Sequence, residues 1–526
     1  MTTQNKFSRS LLDPEQFTIT YELVPGQGSG GRRHERLLEF ARQTYEDGRI
    51  KALSITDNAG GHPALAPIAI GSEVQAIGLE PLLHFSLKDK NRSQVESHLF
   101  LYHRQRFHNL LILGGDFPRP NYYGQAKPVF DLDSVQTLHL LREMEDGSYQ
   151  RGSATGRGTT FAPLSFLRGC VVSPFKTTEA EQVWQYAKLL KKIAAGTNFI
   201  ITQLGYDVCK LEELIRFLRE TGNTLPVLGN VFIPSLGVAE YMGRGGVPGI
   251  VFPQQLIRRM QEEAVRQDTE SRLLRAAKMI CVLRGLGYSG VHLGGNGLNF
   301  AKVRFVLDTA EAMQDQWPSL REDVHFPADN SWYLYPPSAN GVCGKKRGAL
   351  APGRRQKAQR LHQLTHRLLF APDQSLTSRL FGRFCRYCAK SKGRTALLGK
   401  LEKAIKALLF SCRMCGDCTL AESTYLCPQA GCPKKLLNGP CGGSRNMACE
   451  VYPDRACFWV RVYDRLDPGS GPEQLGAEPS LPPKDWALDQ TSSWINHFTG
   501  RDHKRLDPPP GDRPLRPGNE QGKQDQ

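Results

Sequence analysis

The sequence lacks any long hydrophobic run. Across its 526 residues no apolar stretch approaches the ~20 residues that a membrane-crossing helix needs. The first 16 residues are mostly polar and show no charged-then-apolar signal, so we expect a cytoplasmic protein without a membrane span. A hydrophobic content of 40% at this length supports a large core and two or three domains.

Acidic residues are nearly missing from residues 341–410. This segment contains 17 Lys or Arg and only two acids, so it holds almost all of the net charge of +16. The charge could dock an acidic electron-transfer protein or a polyglutamyl folate tail, or simply face solvent. Leucines at helical spacing over residues 356–369 and 396–409 predict a basic helical linker subdomain that spans residues 331–410.

Cysteine is sparse in the first 300 residues, whereas eleven of the 14 cysteines fall between Cys343 and Cys457. In a cytosolic chain such crowding favours metal or cluster ligation over a disulfide framework. No histidine lies between Cys412 and Cys457, so we expect all-thiolate ligation of an iron–sulfur cluster or a tetrahedral zinc ion. The candidate ligands are Cys385, Cys388, Cys412, Cys415, Cys418, Cys427, Cys432, Cys441 and Cys449.

Short apolar runs alternate with helical patterns over the first 330 residues. The run 110–113 passes into Gly114, Gly115 and Asp116, which is how a buried parallel strand ends in a functional loop. Strands are predicted at 17–25, 51–58, 81–87, 110–113, 166–173, 199–203, 226–234 and 290–293. Eight strand–helix units of this length predict a TIM (β/α)8 barrel over residues 17–330, with an open doubly wound sheet as the alternative.

Barrel active sites form at the C-terminal ends of the strands, so position selects the candidate residues. Glu22 and Asp116 are acids at apolar strand ends, where a carboxylate costs free energy unless it is paired or used. A hydrogen-bonded structural role is the alternative for the uncharged candidates. The remaining candidates are Thr56, Asp57, His84, Lys88, Gln203, Gly294 and Gly295.

These residues lie in an ordered series of motifs that resembles the methylenetetrahydrofolate reductases. The motifs are Tyr21-Glu22, Ser54 to Asp57, His84, Leu113 to Pro118, Lys127 to Leu132, and Lys191 to Gln203. The resemblance covers about residues 17–317 and implies a flavin-binding barrel that reduces methylenetetrahydrofolate to methyltetrahydrofolate. The chain departs from the family pattern after Glu22 and between Ser173 and Glu179, and Gln185 stands where the family has an acid.

The resemblance also implies a role for each candidate residue. Glu22 would be a general acid, with a pKa raised by burial, that protonates the folate nitrogen and opens the methylene bridge to an iminium. Asp116 would lie by the flavin and the pterin, and Gln203 would contact folate. The residues that would hold the flavin are Thr56, His84, Asp116 and Lys192. We expect FAD, with FMN as the alternative.

Residues 411–466 resemble the C-terminal domain, or separate small subunit, that accompanies these reductases in some bacteria. The matching residues are Cys412 to Cys418, Cys427-Pro428, Cys432 to Lys434, Asn438 to Ser444 and Cys449 to Tyr452. The resemblance implies an electron-input domain with a [4Fe-4S] cluster, or zinc, and leaves NAD(P)H open as the direct donor. Residues 1–16 are expected to be an N-terminal extension and residues 467–526 a largely disordered tail rich in Pro and Gly.

Two other functions stay open on the residues alone. A pterin-binding barrel could transfer a methyl group, and a zinc module could bind nucleic acid through the basic segment. The rim acids would have no task in a nucleic-acid-binding protein. The leading expectation is therefore a homo-oligomeric enzyme that binds methylenetetrahydrofolate, with an electron-transfer protein as a further partner and no nucleic acid.

Overall fold

The computed structural model of the protein describes residues 5–147, 150–151, 159–160, 162–338, 342–351, 357–371 and 375–504. The chain forms two compact units. The barrel unit comprises residues 1–145, 163–353 and 436–480, and the C-terminal unit comprises residues 146–162, 354–435 and 481–526. The predicted cysteine-rich domain 411–466 is therefore divided between the two units.

A closed barrel of parallel strands forms the centre of the barrel unit. Each strand pairs with the next one along the chain, and the last strand pairs with the first. The eight strands, all within the described residues, are β1 (Thr18–Leu23), β2 (Ile50–Ile55), β3 (Pro81–Ser86), β4 (Asn109–Leu113), β5 (Leu167–Val172), β6 (Phe199–Thr202), β7 (Val227–Ile233) and β8 (Gly290–Gly295). The predicted TIM barrel is confirmed, and the open doubly wound sheet is wrong.

Helices cover the outside of the barrel, which explains why the strands read as continuous apolar runs rather than alternating ones. Several helices begin where the side chain of Asn91, Asp207 or Asn299 accepts a hydrogen bond from the backbone of the first turn. The helices are α1 (Lys6–Leu12), α2 (Arg32–Asp47), α3 (Pro67–Ile77), α4 (Arg92–Arg104), α5 (Ser134–Glu145), α6 (Glu179–Ala194), α7 (Val208–Glu220), α8 (Leu236–Gly243), α9 (Gln254–Val265), α10 (Ser271–Leu286), α11 (Phe300–Met313) and α12 (Trp317–Val324).

Helix α1 closes the N-terminal end of the barrel. Phe7 and Leu11 are buried among the inward-facing strand residues, and the rings of Phe7 and Phe199 meet edge to face with centroids 5.7 Å apart. Asn5 Nδ2 also donates to Asn109 Oδ1 at 2.8 Å. The N-terminal extension expected from the sequence is thus part of the barrel core.

Residues 436–480 pack on α6 of the barrel. The indole N–H of Trp184 donates to the carbonyl oxygen of Trp459 at 2.9 Å, in the short helix α17 (Phe458–Tyr463). The next short helix, α18 (Pro472–Ala477), approaches α6 so closely that a Cβ on Gly476 would lie 2.7 Å from the Leu190 side chain. This packing explains why even polar residues of α6, such as Gln182, are buried.

The C-terminal unit is a helical layer followed by the cysteine-rich loops. Its helices are α13 (Lys357–Phe370), α14 (Leu376–Ala389), α15 (Lys392–Phe410), α16 (Pro428–Gly431) and α19 (Ser493–Phe498), and Gln150–Arg151 pair antiparallel with Thr159–Thr160. The two helices predicted in the basic segment are confirmed as α13 and α15. Among the described residues, none of the helices combines the length and the apolar character needed to cross a bilayer.

The structure corrects the disordered tail expected for residues 467–526. Leu475, Leu488, Ile495 and Phe498 are each buried, which anchors the chain as far as residue 504. The prediction of disorder rested on the Pro and Gly content, and the buried apolar residues are too widely spaced in the sequence to form a recognisable pattern. Residues 505–526 lie outside the described part of the chain.

Replacing Phe7 by Ala should lower the free energy of unfolding of the barrel unit by about 3–5 kcal/mol, because it leaves a cavity at the closed end of the barrel. Urea unfolding followed by tryptophan fluorescence measures the change. Leu12→Ala is the matched control, since Leu12 lies on the same helix and is 53% exposed. Equal losses in the two variants would contradict the role assigned to α1.

Candidate active site and thiol sites

Glu22 and His292 meet at the C-terminal ends of β1 and β8. The parallel register places Thr20 beside His292, and Glu22 follows two residues later on the same face of β1. Glu22 Oε2 lies 3.6 Å from His292 Nε2. His292 was not among the candidates selected from the sequence. The signal that could have identified it is a histidine within the apolar run of the last predicted strand.

Thr20 holds the His292 ring in place. Its hydroxyl lies 3.4 Å from the carbonyl oxygen of Val291, to which it donates, and 2.8 Å from His292 Nδ1. The Nε2 atom then faces Glu22 and can share a proton with its carboxylate.

His84 lies beside this pair, as its position in the third predicted strand suggested. Its Nε2 is 2.7 Å from Ser54 Oγ, and its ring centroid is 6.5 Å from that of His292. Burial lowers the pKa of His84 to about 4, although Glu22 raises it in part. His84 is therefore a neutral imidazole at neutral pH and adds no charge to the site.

The pKa of Glu22 corrects one expectation from the sequence. Burial acts to raise the pKa, but the hydrogen bond from His292 and the charge of His292 outweigh it and lower the pKa below its usual value. The carboxyl is therefore ionised in the resting site. A general acid here needs a proton supplied by a neighbour, and His292 is the neighbour in place.

Glu22, His84 and His292 each offer one ligand atom, and these atoms lie within 4.8 Å of one another, as in a site with two histidines and one carboxylate. Both ring nitrogens of His292 have partners in Thr20 and Glu22, and His84 Nε2 is engaged by Ser54. The arrangement is suited to holding and moving a proton.

Asp116 lies at the mouth of the barrel, in the loop after β4. Its Oδ2 accepts a hydrogen bond of 2.8 Å from the backbone N–H of Gly60, in the loop after β2. The two loops also meet where a Cβ on Gly61 would lie 2.2 Å from the carbonyl oxygen of Phe117, at a positive φ that suits glycine. Backbone contacts between loops therefore hold Asp116 in place.

Of the other predicted flavin and folate residues, Thr56 and Gln203 lie at strand ends of the same barrel and Lys192 lies on α6. The backbone N–H of Thr56 donates to Leu23, and the side-chain oxygen of Gln203 accepts from the N–H of Leu204 at 2.9 Å. Lys192 Nζ donates to the carbonyl of Val171 at 2.7 Å, and burial lowers its pKa to about 8. Lys192 thus supports the end of β5 from α6.

Two of the positional candidates have structural partners. Asp57 Oδ2 accepts from Lys90 Nζ at 2.8 Å and from the backbone N–H of Ser86 at 3.2 Å. Lys88 is buried and pairs with Asp89 at 3.0 Å. Gly294 and Gly295 form the end of β8, where Gly294 faces Glu22 and leaves space above it.

Buried polar atoms without hydrogen-bond partners ring the C-terminal end of the barrel. They are Ser86 Oγ at the end of β3, Ser173 Oγ just after β5 and Asn230 Oδ1 on β7. Burying such an atom without a partner costs free energy, so these atoms suit a bound group rich in donors and acceptors. An isoalloxazine or pterin ring has this chemistry, and the residues present therefore fit a flavin and a folate.

A cavity in the C-terminal unit is lined by four of the predicted thiol ligands, Cys412, Cys415, Cys418 and Cys427. The backbone N–H of Met414 donates to Cys412 Sγ at 3.3 Å. Gly416 turns the loop with a φ of 74°, at a point where a Cβ would overlap the carbonyl of Leu488. The donor set fits an all-thiolate metal centre.

Lys406 points into this cavity from α15. Its Nζ lies 3.5 Å from Cys418 Sγ, and it donates to Glu402 Oε1 at 2.9 Å and to Ser493 Oγ at 2.6 Å. Glu402 is itself buried and accepts from Ser492. The lysine and glutamate therefore form a buried ion pair whose positive end faces the thiols.

The other five predicted thiol ligands do not line this cavity. Cys385 and Cys388 lie in the apolar core of the C-terminal unit with Leu398, Ile495 and Phe498. Cys432 follows α16 and is buried. Cys441 and Cys449 belong to the barrel unit, so nine cysteines in one sequence region are distributed over several environments.

The loop that carries Cys441 is anchored to the barrel by buried lysines, which the sequence analysis did not single out. Lys176 Nζ donates to the carbonyl of Gly442 at 2.7 Å and also to that of Ser444, and Lys188 Nζ donates to Pro440 at 3.0 Å. Gln185, at the position where an acid was expected, donates to the Cys441 carbonyl at 3.3 Å.

Stability should depend on pH through His84. The unfolded chain protonates His84 near its ordinary value of 6.5 and the folded chain only near 4, so stability is complete above 6.5 and falls as the pH drops through that window. We expect a loss of about 2 kcal/mol between about pH 7.5 and pH 5. Urea unfolding of wild type and His84→Gln measures it. The His84→Gln variant should lack this loss of stability. His62→Gln, at an exposed histidine, is the control. An unchanged pH dependence in His84→Gln would contradict the burial of a neutral imidazole at this position.

Two sequence families match the chain. Residues 7–294 match the family described as methylenetetrahydrofolate reductase, and residues 392–487 match the family described as methylene-tetrahydrofolate reductase C terminal. The first match covers more than half of the chain and coincides with the barrel.

Individual relatives carry related names. The chain is 23% identical over 268 residues to a probable methylenetetrahydrofolate reductase (NADPH) of Caenorhabditis elegans. The aligned region covers 50% of this chain and 36% of that protein. The chain is 24% identical over 297 residues to methylenetetrahydrofolate reductase 1 of Schizosaccharomyces pombe, covering 54% and 45%. A Clostridium thermocellum protein solved with 5-methyl-5,6,7,8-tetrahydrofolic acid aligns with a TM-score of 0.38 and 13% identity over 59% of this chain and 99% of its own.

The aligned regions therefore cover less than half the length of these two curated relatives. The family match over residues 7–294 includes Glu22, His84, Asp116 and Gln203. On the family match over residues 7–294, this chain belongs to the methylenetetrahydrofolate reductase family.

Proposed function

We propose that the chain is a flavin-dependent methylenetetrahydrofolate reductase that produces methyltetrahydrofolate. Family membership supports this activity. The observation that carries the proposal is the pair formed by Glu22 and His292, whose facing atoms are 3.6 Å apart at the catalytic end of the barrel. Such a pair can deliver a proton to a substrate nitrogen held above it.

Glu22 is the proposed general acid. Protonation of the folate nitrogen breaks its bond to the methylene carbon and leaves an iminium, which then accepts a hydride to become the methyl group. Since the resting carboxyl is ionised, His292 supplies the proton through Nε2 while Thr20 holds Nδ1. A substrate that excludes water from Glu22 would raise the pKa of its carboxyl and favour the transfer.

The remaining strand-end residues position the two rings. We assign Asp116 to the flavin and the pterin and Gln203 to folate, since both lie at the C-terminal ends of barrel strands. Thr56, His84 and Lys192 are assigned to the flavin, with His84 as a neutral hydrogen-bonding group. Ser86, Ser173 and Asn230 supply further polar contacts.

A bound flavin supplies the hydride chemistry, and the protein supplies the position of its ring and the proton. We propose FAD, with FMN as the alternative. The name of the Caenorhabditis relative includes NADPH, and NAD(P)H is the proposed donor to the flavin unless electrons enter through the C-terminal unit. A homo-oligomer, a cytoplasmic location and an electron-transfer partner remain proposals.

For the C-terminal unit we propose an iron–sulfur cluster, expected as [4Fe-4S], bound by Cys412, Cys415, Cys418 and Cys427. Zinc is the alternative, since four thiolates also satisfy a tetrahedral zinc ion. The Lys406 ammonium beside Cys418 would offset the negative charge of the thiolates.

Replacing Glu22 by Gln should leave flavin binding intact and lower folate reduction by about 10²–10⁴-fold, the range typical of a lost general acid. Flavin absorbance measures the first quantity and anaerobic methyltetrahydrofolate formation the second. Glu15→Gln, at an exposed acid, is the control. His292→Asn should also lower folate reduction, because it removes the group that supplies the proton to Glu22. Normal turnover by Glu22→Gln would remove this residue from the mechanism.

Replacing Cys415 by Ser should remove iron and sulfide from the anaerobically purified protein and leave the flavin in place. Cys385→Ser is the matched control, because Cys385 lies in an apolar core outside the cavity, and it should keep the full iron content. Metal analysis and visible absorption decide between these outcomes. Loss of iron in both variants would place Cys385 among the ligands, as the sequence first suggested.

A further inference from the structure

Helices α13, α14 and α15 expose an unusual amount of apolar surface. Of the 25 large hydrophobic side chains that are exposed in the described residues, 12 lie on these three helices. Leu376, Leu397 and Leu408 are 72%, 71% and 87% exposed. The full set, named here the apolar face, is Leu361, Leu364, Leu368, Leu376, Leu380, Phe384, Tyr387, Leu397, Leu401, Ile405, Leu408 and Leu409.

The apolar face consists of one stripe on each helix. On α14 the exposed stripe recurs every three to four residues from Leu376 to Tyr387, and the buried stripe Ser378, Gly382, Cys385 and Cys388 recurs with the same spacing on the other side. The inner stripe packs on the core with Phe498. Helix α14 therefore has a buried stripe that the fold uses and a separate apolar stripe that it leaves exposed.

Neighbouring stripes adjoin one another. Thr377 at the start of α14 donates to the carbonyl of Leu368 near the end of α13 at 2.6 Å. On the other side, the guanidinium of Arg394 on α15 lies 4.0 Å from the ring centroid of Tyr387 on α14. The exposed side chains beside these contacts belong to all three helices, so the stripes form one surface.

The charges on this surface are of a single sign. Eight exposed basic residues flank the stripes: Arg360, Arg367, Arg379, Arg383, Lys390, Lys392, Lys400 and Lys403. Of the two acids in residues 341–410, Glu402 is 1% exposed and bonded to Lys406, and Asp373 lies outside the described residues. The described part of the three helices thus presents no acidic side chain to solvent.

We propose that this basic apolar face binds an anionic lipid surface, so that the protein associates peripherally with membranes. Helices with leucines on one side and Lys or Arg along its edges lie in the headgroup region, where apolar side chains insert and basic ones meet lipid phosphates. The proposal goes beyond the reductase activity and does not depend on it.

The composition of the face favours lipid over a protein. Protein interfaces are depleted in Lys, and Leu is under-represented among the residues that dominate their binding energy, whereas nine of the 12 apolar side chains of this face are Leu and four of its eight basic residues are Lys. A second copy of the chain would bring two basic surfaces together and be repelled. An acidic protein remains the competing occupant that the experiment must separate.

Vesicle flotation of the full-length protein tests the proposal. We expect the protein to float with vesicles of phosphatidylcholine containing about a quarter phosphatidylglycerol, and not with phosphatidylcholine alone. Binding should weaken at about 0.5 M salt, where charges are screened within a few ångströms. Failure to float with the anionic vesicles at low salt would overturn the proposal and leave the face to an acidic protein.

Two variants probe the two contributions separately. Leu401→Gln with Leu408→Gln, and Lys400→Glu with Lys403→Glu, should each lower the lipid partition coefficient by about tenfold or more. Arg258→Glu with Val265→Gln, at exposed positions of α9, is the matched control and should bind like wild type. Circular dichroism confirms folding, and the charge variant keeps the test valid if the leucine variant misfolds. Wild-type flotation by both variants would overturn the proposal.

Discussion

Pairing of the first barrel strand with the last is the interaction on which the catalytic end depends. It brings Thr20 and His292 into one hydrogen bond of 2.8 Å across 272 positions of sequence. The same register sets His292 beside Glu22. A slip of one residue would turn the side chains of β1 to the opposite face and separate the carboxylate from the imidazole. Barrel closure is therefore a catalytic requirement as well as a structural one.

Apolar contacts at the closed end of the barrel stabilise the fold and offset the free-energy cost of the polar atoms at the other end. Phe7 and Leu11 fill one end with apolar contacts. The other end holds a neutral histidine, a partly buried carboxylate and polar atoms without protein partners. The polar atoms without protein partners lower stability unless a ligand satisfies them. The barrel is thus stabilised by apolar packing at its N-terminal end and has polar groups available for a ligand at its C-terminal end.

Local patterns predicted the barrel and most of its strand-end residues, since strand ends follow from apolar runs and turn residues. Glu22 and Asp116 were found in this way. His292 was not, because a histidine within a strand gains a role only through its neighbour on a strand distant in sequence. The predicted direction of the Glu22 pKa shift was wrong for the same reason, since burial was visible in the sequence and the opposing imidazole of His292 was not.

Cysteine spacing was informative only within one loop. The run from Cys412 to Cys418 and the nearby Cys427 meet around one cavity. Cys385 and Cys388 have the same two-residue gap, but on a helix that gap places both side chains on one face, where they serve an apolar core. Spacing also gave no sign that Cys441 and Cys449 belong to the barrel unit, because that depends on the docking of residues 436–480.

The most direct test of the account is an anaerobic titration of the flavin-loaded, chemically reduced protein with methylenetetrahydrofolate. The flavin absorbance and the methyltetrahydrofolate formed are followed together. The account predicts that the flavin is reoxidised and that one methyltetrahydrofolate appears for each flavin. A flavin that binds but stays reduced in the presence of methylenetetrahydrofolate would contradict the proposed reaction.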